Sequence, residues 1–589
     1  MHWRVILLYN TVMTNKELAD TFTLIADLLE IKGEVIYKIL AYRKAAESLT
    51  DLSRDVKTIW EEGGLTSIPG VGKAIAEKID ELLRTGQLGF LNNLKTEVPE
   101  SLAGLLQIPD LGPKKVKLFW QELGITTLAE LEKAARNDQL ANLPGMGEKS
   151  QAKVLAGIEA LQRRQVGRTP LGDIWDFAQA QLNFLRGLPG VVAAEPAGSF
   201  RRMRETVGDL DILAAAEDSE PIMQAFVSQE IIARVEGRGK TKTSVEYSNG
   251  FRAQLWVHPP ARFGTALQYA TGSKDHNVKI REIALDQGYS LSEHALSKTD
   301  GSELLCETEE EVYQALGLPY IPPELREDRG EVQAALAGTF PSLIRTEDII
   351  SELHCHSTWS DGRGSIREMV ETAIQRGLQV ITISDHSVSL GIGNGLSIER
   401  LMEQKEEIAQ VREEFSNRIT ILHGTEMEIR ADGSLDFPDE VLAELDVVVA
   451  SLHVSMRQPR QQITERMLNA IRNPHVDIIG HPTNRLLPDR AGSDLDMEAI
   501  FRAASEHGVA LEINANPQRL DLNDIHAKRA IELGVLLAIN TDAHLPQHLG
   551  LIHFGVATAR RAWAQKENVI NTWPVAELLS WLNRRHPKL

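Results

Sequence analysis

The 589 residues include only two cysteines, Cys306 and Cys355, far apart in the chain. They cannot build a disulfide framework, and free thiols suit a reducing cytoplasm. Long hydrophobic runs are missing too. The apolar run in the opening segment, Val5 to Leu8, is too short for a signal peptide or a membrane span. An intracellular protein with no membrane partner is expected. Met13 opens a stretch of better helical character, which makes residues 1–12 a candidate mis-assigned start. Low-complexity tracts are absent. Positive charge is scarce: 63 Lys and Arg against 83 Asp and Glu leave a net charge of −20. That argues against indiscriminate nucleic-acid binding over the whole surface, although a local basic face with oriented backbone amides would still serve. An acidic balance also fits sites that gather divalent cations. The length predicts three to five domains.

Residues 16–165 read as nearly continuous short helices, with Leu18, Phe22, Ile25, Leu28 and Leu29 at helical spacing. One element occurs three times: Ile68-Pro69-Gly70-Val71-Gly72-Lys73, Ile108-Pro109-Asp110-Leu111-Gly112-Pro113-Lys114 and Leu143-Pro144-Gly145-Met146-Gly147-Glu148-Lys149. Glycine lets the N–H groups at a helix N-terminus approach a phosphate closely, and lysine adds charge. A packing turn would explain one copy. Three copies predict contact with a phosphate backbone through Gly70, Gly72, Lys73, Gly112, Lys114, Gly145, Gly147 and Lys149.

From Leu188 to His258 the pattern changes to strands. Gly198-Ser199-Phe200-Arg201-Arg202 precedes Gly208-Asp209-Leu210-Asp211. Aspartates two apart on a strand share a face, which is how two Mg²⁺ ions are held for in-line phosphoryl transfer. The glycine and serine suit a triphosphate, and Arg202 could offset its charge. Beyond Ser351, short apolar strands alternate with helices, the pattern of a parallel α/β domain or barrel. Thirteen of the 17 histidines lie there. His354, His356, Asp361, His386, Glu426, His453, His481, Asp542 and His544 fall at or just after successive predicted strand ends, where a barrel builds its site. Imidazole mixed with carboxylate suits Zn²⁺ or Mn²⁺.

Residues 13–336 resemble the family X DNA polymerases. The resemblance is carried by the repeated glycine elements, by the G-S and G-D-x-D motifs, and by Tyr269-Ala270-Thr271-Gly272-Ser273 followed by Asn277 and Arg281. The repeats resemble the helix-hairpin-helix. The resemblance implies that Asp209 and Asp211 are catalytic metal carboxylates for Mg²⁺ or Mn²⁺. It puts Ser199, Arg202 and Gly208 at the nucleotide phosphates, and Tyr269, Gly272 and Asn277 at the sugar and base. Arg281 would meet the template minor groove. Two positions depart from the family: Gln254 stands where a third catalytic aspartate is usual, and Ala270 where an aromatic is. An amide neither accepts the primer proton nor ligates a hard cation well. Lys78 matches the family's lyase lysine, although a Glu-Lys pair on a helix face is more often simply solvated.

The region from Glu352 to His544 resembles the PHP (polymerase and histidinol phosphatase) domain, with all nine ligand positions filled. The resemblance implies three metals: one on His354, His356, Glu426 and Asp542, a second on Glu426, His453 and His481, a third on Asp361, His386 and His544.

The expected architecture is multidomain, α+β and α/β. Residues 1–90 would form a helical domain with a helix-hairpin-helix and 91–168 a fingers-like domain with two more. A nucleotidyltransferase palm (169–262), a thumb (263–340), a linker (341–350) and a distorted (β/α)7 PHP barrel (351–589) would follow. The expected function is DNA repair. The protein would bind gapped, nicked or 3'-ended DNA as a monomer at the cytoplasmic nucleoid, and trim 3' ends in the PHP domain, with abasic-site cleavage left open. It would take dNTPs into a palm whose gap filling is weak or lost. The alternatives are a nuclease with a degenerate palm, a non-enzymatic scaffold, and a small-phosphoester hydrolase.

Overall fold

The computed structural model describes residues 13 and 15–585, less 51, 53, 54, 107, 109, 110 and 164–167. The proposed mis-assigned start, residues 1–12, and Pro109 and Asp110 of the second glycine repeat lie outside the described residues. Two compact units result, 1–167 and 168–589.

The first unit is all helical. Helices Asn15–Lys32 and Ile36–Thr50 pack against each other, and Phe22, Tyr42 and Phe90 stack at 5.9 Å spacings in the core. Each glycine repeat stands immediately before a helix: Lys73–Thr85, Pro113–Leu123 and Glu148–Arg163. Gly72 and Gly112 are the N-caps of the first two and bring no side chain to bond the first N–H groups. Gly70 has φ +76° and Gly145 φ +73°, left-handed turns that favour glycine. The first turns of Lys73–Thr85 and Pro113–Leu123 therefore keep backbone donors that no capping side chain satisfies.

The second unit opens with a five-stranded sheet in the spatial order Ala193–Pro196, Leu210–Ala215, Arg252–His258, Lys242–Tyr247, Ile232–Arg238. The second and third strands are parallel, in a register that sets Asp211 beside Gln254. Helix Leu171–Arg186 lies in the sheet's apolar core. Helices Phe263–Thr271, Lys274–Asp286 and Glu309–Ala315 follow.

Seven parallel strands then run in chain order: Ser351–Cys355, Val380–Ile383, Thr420–Glu428, Val447–Ser451, Ile478–Ile479, Ala510–Asn514 and Leu537–Asn540. Nearly every strand residue is buried, as a parallel sheet covered on both faces requires. Cys355 bridges Ala543, so the first and last strands nearly close a barrel. The stretch 341–350, expected as a linker, is held against this barrel: Ile344 and Ile349 bury in its core, and Ile344 N donates to Ala564 O at 3.0 Å. Sheet and barrel also share a core. Leu520, Leu551 and Phe554 of the barrel pack with Leu171, Ile174 and Phe200 of the sheet, and Trp175 meets Phe554 edge-on at 4.9 Å. No described helix is long and apolar enough to cross a membrane.

Candidate metal centre and nucleotide cleft

The barrel strands end around Glu426, which is buried. Five imidazole nitrogens surround its carboxylate: His354 Nε2 at 3.4 Å, His356 Nε2 at 3.5 Å, His386 Nδ1 at 2.8 Å, His453 Nε2 at 3.3 Å and His481 Nε2 at 2.9 Å. Yet neither Glu426 oxygen makes a hydrogen bond, nor do His354 Nε2, His356 Nδ1 or either nitrogen of His481. Buried polar atoms are ordinarily paired. A carboxylate and imidazole nitrogens left unpaired together in this way form a donor set that could hold cations. Burial disfavours the charged carboxylate, but the charges of His453, His386 and His354 more than offset it and hold Glu426 well below the usual range.

Three overlapping groups of candidate ligands form there. His354, His356, Glu426 and Asp542 make one, and His386, Glu426 and His453 another. The third is His356, Asp361, His386 and His544. The groupings differ in detail from those implied by the sequence. His356 also joins Asp361, and His386 rather than His481 stands with Glu426 and His453. His481 remains beside Glu426, at 2.9 Å. The rings of His386 and His544 stack on His356 with centroids 4.3 and 4.2 Å away. Burial, then the neighbouring His544 and His386, push the His356 pKa down to about 3, keeping its ring neutral as ligation requires. His481 (φ +26°) and Asp542 (φ +51°) hold left-handed backbone at the mouth of the barrel.

Three carboxylates outside the predicted ligand set hold it in position, and two of them, Glu512 and Glu428, escaped sequence reasoning. Glu512 bonds His354 Nδ1 at 2.7 Å and accepts from His481 N at 2.7 Å. Glu428 bonds His453 Nδ1 at 2.8 Å. A bonded Nδ1 leaves Nε2 to face the centre. Asp385 accepts from Ser357 N and Oγ at 2.8 and 2.6 Å and so fixes the loop that carries Asp361. Glu428 follows Glu426 by two on one strand and so shares its face, a signal that was available. Glu512 gives no comparable sign, because its partner lies 158 residues away.

The second site is a cleft of about 390 Å³. It is lined by Ser199, Arg202, Asp209, Asp211, Tyr269, Gly272, Asn277 and Arg281, among others. Of the residues expected at the nucleotide, only Gly208 is off its wall, one position before Asp209. Gly198 has φ +57°, and a Cβ there would strike the Asp211 carboxylate. Burial, then the charge of Asp209, push the Asp211 pKa up to about 7, with Lys242 and Arg202 partly opposing. A bound cation would relieve such a pair. Arg202 Nη1 donates to Thr271 O at 2.6 Å and Nε to Glu327 at 3.1 Å. Asn277 Nδ2 donates to Tyr269 O at 2.8 Å. Ala270 also lines the cleft. Lys78, in the first unit, donates to Ala74 O at 3.1 Å and sits over the Phe90 ring.

Fold and site together define a polymerase-type, helix-hairpin-helix protein fused to a metal-dependent phosphoesterase barrel. Family comparisons agree. Residues 13–88 match the helix-hairpin-helix domain, 102–160 the SAM-like helix-hairpin-helix tandem, 266–327 the DNA polymerase beta thumb and 352–516 the PHP domain. The chain is 39% identical over 577 residues to the DNA polymerase/3'-5' exonuclease PolX of Bacillus subtilis (strain 168), covering 97% of this chain and all of that protein. It is 29% identical over 345 residues to rat DNA polymerase lambda, 53% of this chain and 56% of the relative. It is 32% identical over 254 residues to a probable phosphatase of Thermoanaerobacter sp. (strain X514), 41% of this chain and 97% of the relative. The chain belongs to the family X DNA polymerases that carry a C-terminal PHP domain.

Proposed function

We propose that this protein is a DNA-repair enzyme whose dominant chemistry is cation-dependent 3'-5' hydrolysis of DNA in the barrel. Its palm binds dNTPs but fills gaps weakly or not at all. The observation that carries the first half is the orphaned Glu426 carboxylate among five imidazoles. His354, His356, Asp361, His386, Glu426, His453, His481, Asp542 and His544 would hold Mn²⁺ or Zn²⁺. Cations held there would supply an ionised water near neutral pH and neutralise charge on the attacked phosphodiester. Glu512 and Glu428 keep the imidazoles aimed inward. The name of the Bacillus relative, a DNA polymerase/3'-5' exonuclease, supports DNA as the substrate. The glycine repeats of the first unit would deliver gapped, nicked or 3'-ended DNA through its phosphates. Monomeric action at the cytoplasmic nucleoid fits these partners; the domain boundaries expected from the sequence belong to the same reading, except that 341–350 packs on the barrel and is no free linker.

The second half rests on Gln254. The palm carboxylates Asp209 and Asp211 would hold Mg²⁺ or Mn²⁺, but Gln254 offers no base for the primer hydroxyl. The probable-phosphatase relatives of the barrel favour a second reading, hydrolysis of small phosphate monoesters. Comparing 5'-labelled gapped DNA with a phosphate monoester, in Mn²⁺, decides between them. We expect shortening of the DNA from its 3' end, lost in His386→Ala. Turnover of the monoester alone would overturn the reading.

A further inference from the structure

The phosphate side of the palm cleft is not held by the palm alone. Two arginines of the barrel grip the segment that follows Ser199. Arg561 ends the barrel helix Ile552–Arg561 and is buried. Its Nη1 donates to the backbone carbonyl of Arg202 at 2.7 Å and to Glu327 Oε1 at 3.1 Å. Glu327 also takes Arg202 Nε at 3.1 Å and lies 3.3 Å from Arg204 Nη1. Asp524 anchors the far side of Arg561, at 2.8 Å from Nη2. Arg485 lies 2.8 Å from Glu205 Oε2, while its Nε donates to Arg519 O at 2.8 Å within the barrel.

Three guanidinium groups thus share the Glu327 carboxylate. Such a cluster favours further anionic charge from the cleft, and Arg202 is its member on the cleft wall. Arg561 matters twice. It fixes the Arg202 main chain, and it competes for Glu327, which otherwise draws the Arg202 head group away from a phosphate. We propose that Arg561 and Arg485, both borne by the barrel, are positioning residues for the triphosphate side of the palm cleft, so that nucleotide affinity in one module depends on the other. The proposal rests on the reading of the cleft as a nucleotide site.

The test is equilibrium binding of Mg²⁺–dATP to the full-length protein on a one-nucleotide gap opposite thymine. Hydrolysis of the same DNA from its 3' end is followed in parallel. Arg561→Met is expected to raise the nucleotide Kd about 10- to 100-fold, the usual scale for a lost charged hydrogen bond. Arg561→Lys should restore part of it, and the hydrolysis rate should stay within about twofold. Glu205→Ala removes the partner of Arg485 at a side chain 38% exposed and should raise Kd about threefold. It also decides the matter if Arg561→Met fails to fold. Unchanged nucleotide affinity in the folded variants overturns the proposal, as does an equal fall in hydrolysis. A wild type that binds no nucleotide overturns the cleft reading itself, and the proposal with it.

Discussion

Gln254 Nε2 donates to Asp209 Oδ2 at 2.9 Å, from the strand position directly beside Asp211. The amide neutralises nothing, but it solvates one of two crowded carboxylates. An aspartate there would add a third negative charge, tolerable only with a cation bound, and could act as a base, which the amide cannot. Gln254→Asp is therefore expected to raise Mg²⁺-dependent filling of a one-nucleotide gap by about 10²- to 10⁴-fold, the range of general-base contributions. Extension rates of the two proteins side by side check this. Efficient gap filling by the wild type, unimproved by the substitution, would show that the palm is not impaired.

Several of the barrel's donor atoms, both Glu426 oxygens and His354 Nε2 among them, have no hydrogen-bond partner, so they are costly to bury until cations pair them. Stripping metal with a chelator should abolish 3'-end hydrolysis and lower the melting temperature of the second unit, and Mn²⁺ should restore both. Glu426→Ala, which removes the carboxylate shared by two of the three ligand groups, should shrink the chelator's effect on melting to what His356, Asp361, His386 and His544 contribute. An undiminished chelator effect in that variant would contradict the assignment.

Glu512 and Glu428 act through the histidines they orient. Substituting either by Gln keeps the shape but weakens its hold on the ring. We expect about 10- to 100-fold weaker metal affinity by titration, with hydrolysis recoverable at high Mn²⁺. Loss that no metal concentration recovers would mean that they touch substrate instead.

His258 ends a palm strand at 2% exposure. Burial, then the charge of His294, push its pKa down to about 4 from 6.5. The folded state excludes a proton that the unfolded chain accepts, so this contribution to stability is intact above pH 6.5 and is lost as pH falls toward 4. His258→Gln should flatten the pH dependence of melting within that window, by up to about 1.4 kcal/mol per pH unit, and change nothing in its slope above it. Parallel melting curves for both proteins between pH 4 and 6.5 would refute the shift.

Much of this was legible in the sequence, for reasons that can be named. Strand-end periodicity made the candidate ligand set visible as a cluster, because each parallel strand must deliver its C-terminal residues to the same mouth of the barrel. The glycine repeats announced themselves by recurring, and the Asp209–Asp211 spacing by the two-residue period of a strand. What stayed hidden depends on contacts between distant segments. Glu512 supports His354 across the barrel, and Ile344 docks a stretch that reads as a linker. Arg561 reaches a carbonyl 359 residues away. Neither periodicity nor composition encodes such pairings.

The apolar seam between sheet and barrel sets a rule for anyone dividing the chain. A fragment ending near residue 340 would keep Leu171, Ile174, Trp175 and Phe200 but lose the Phe554, Leu551 and Leu520 that cover them. Its exposed flank would be sticky, and loss of activity in such a fragment would report aggregation rather than chemistry. Point substitutions, not truncations, are the clean way to silence one half.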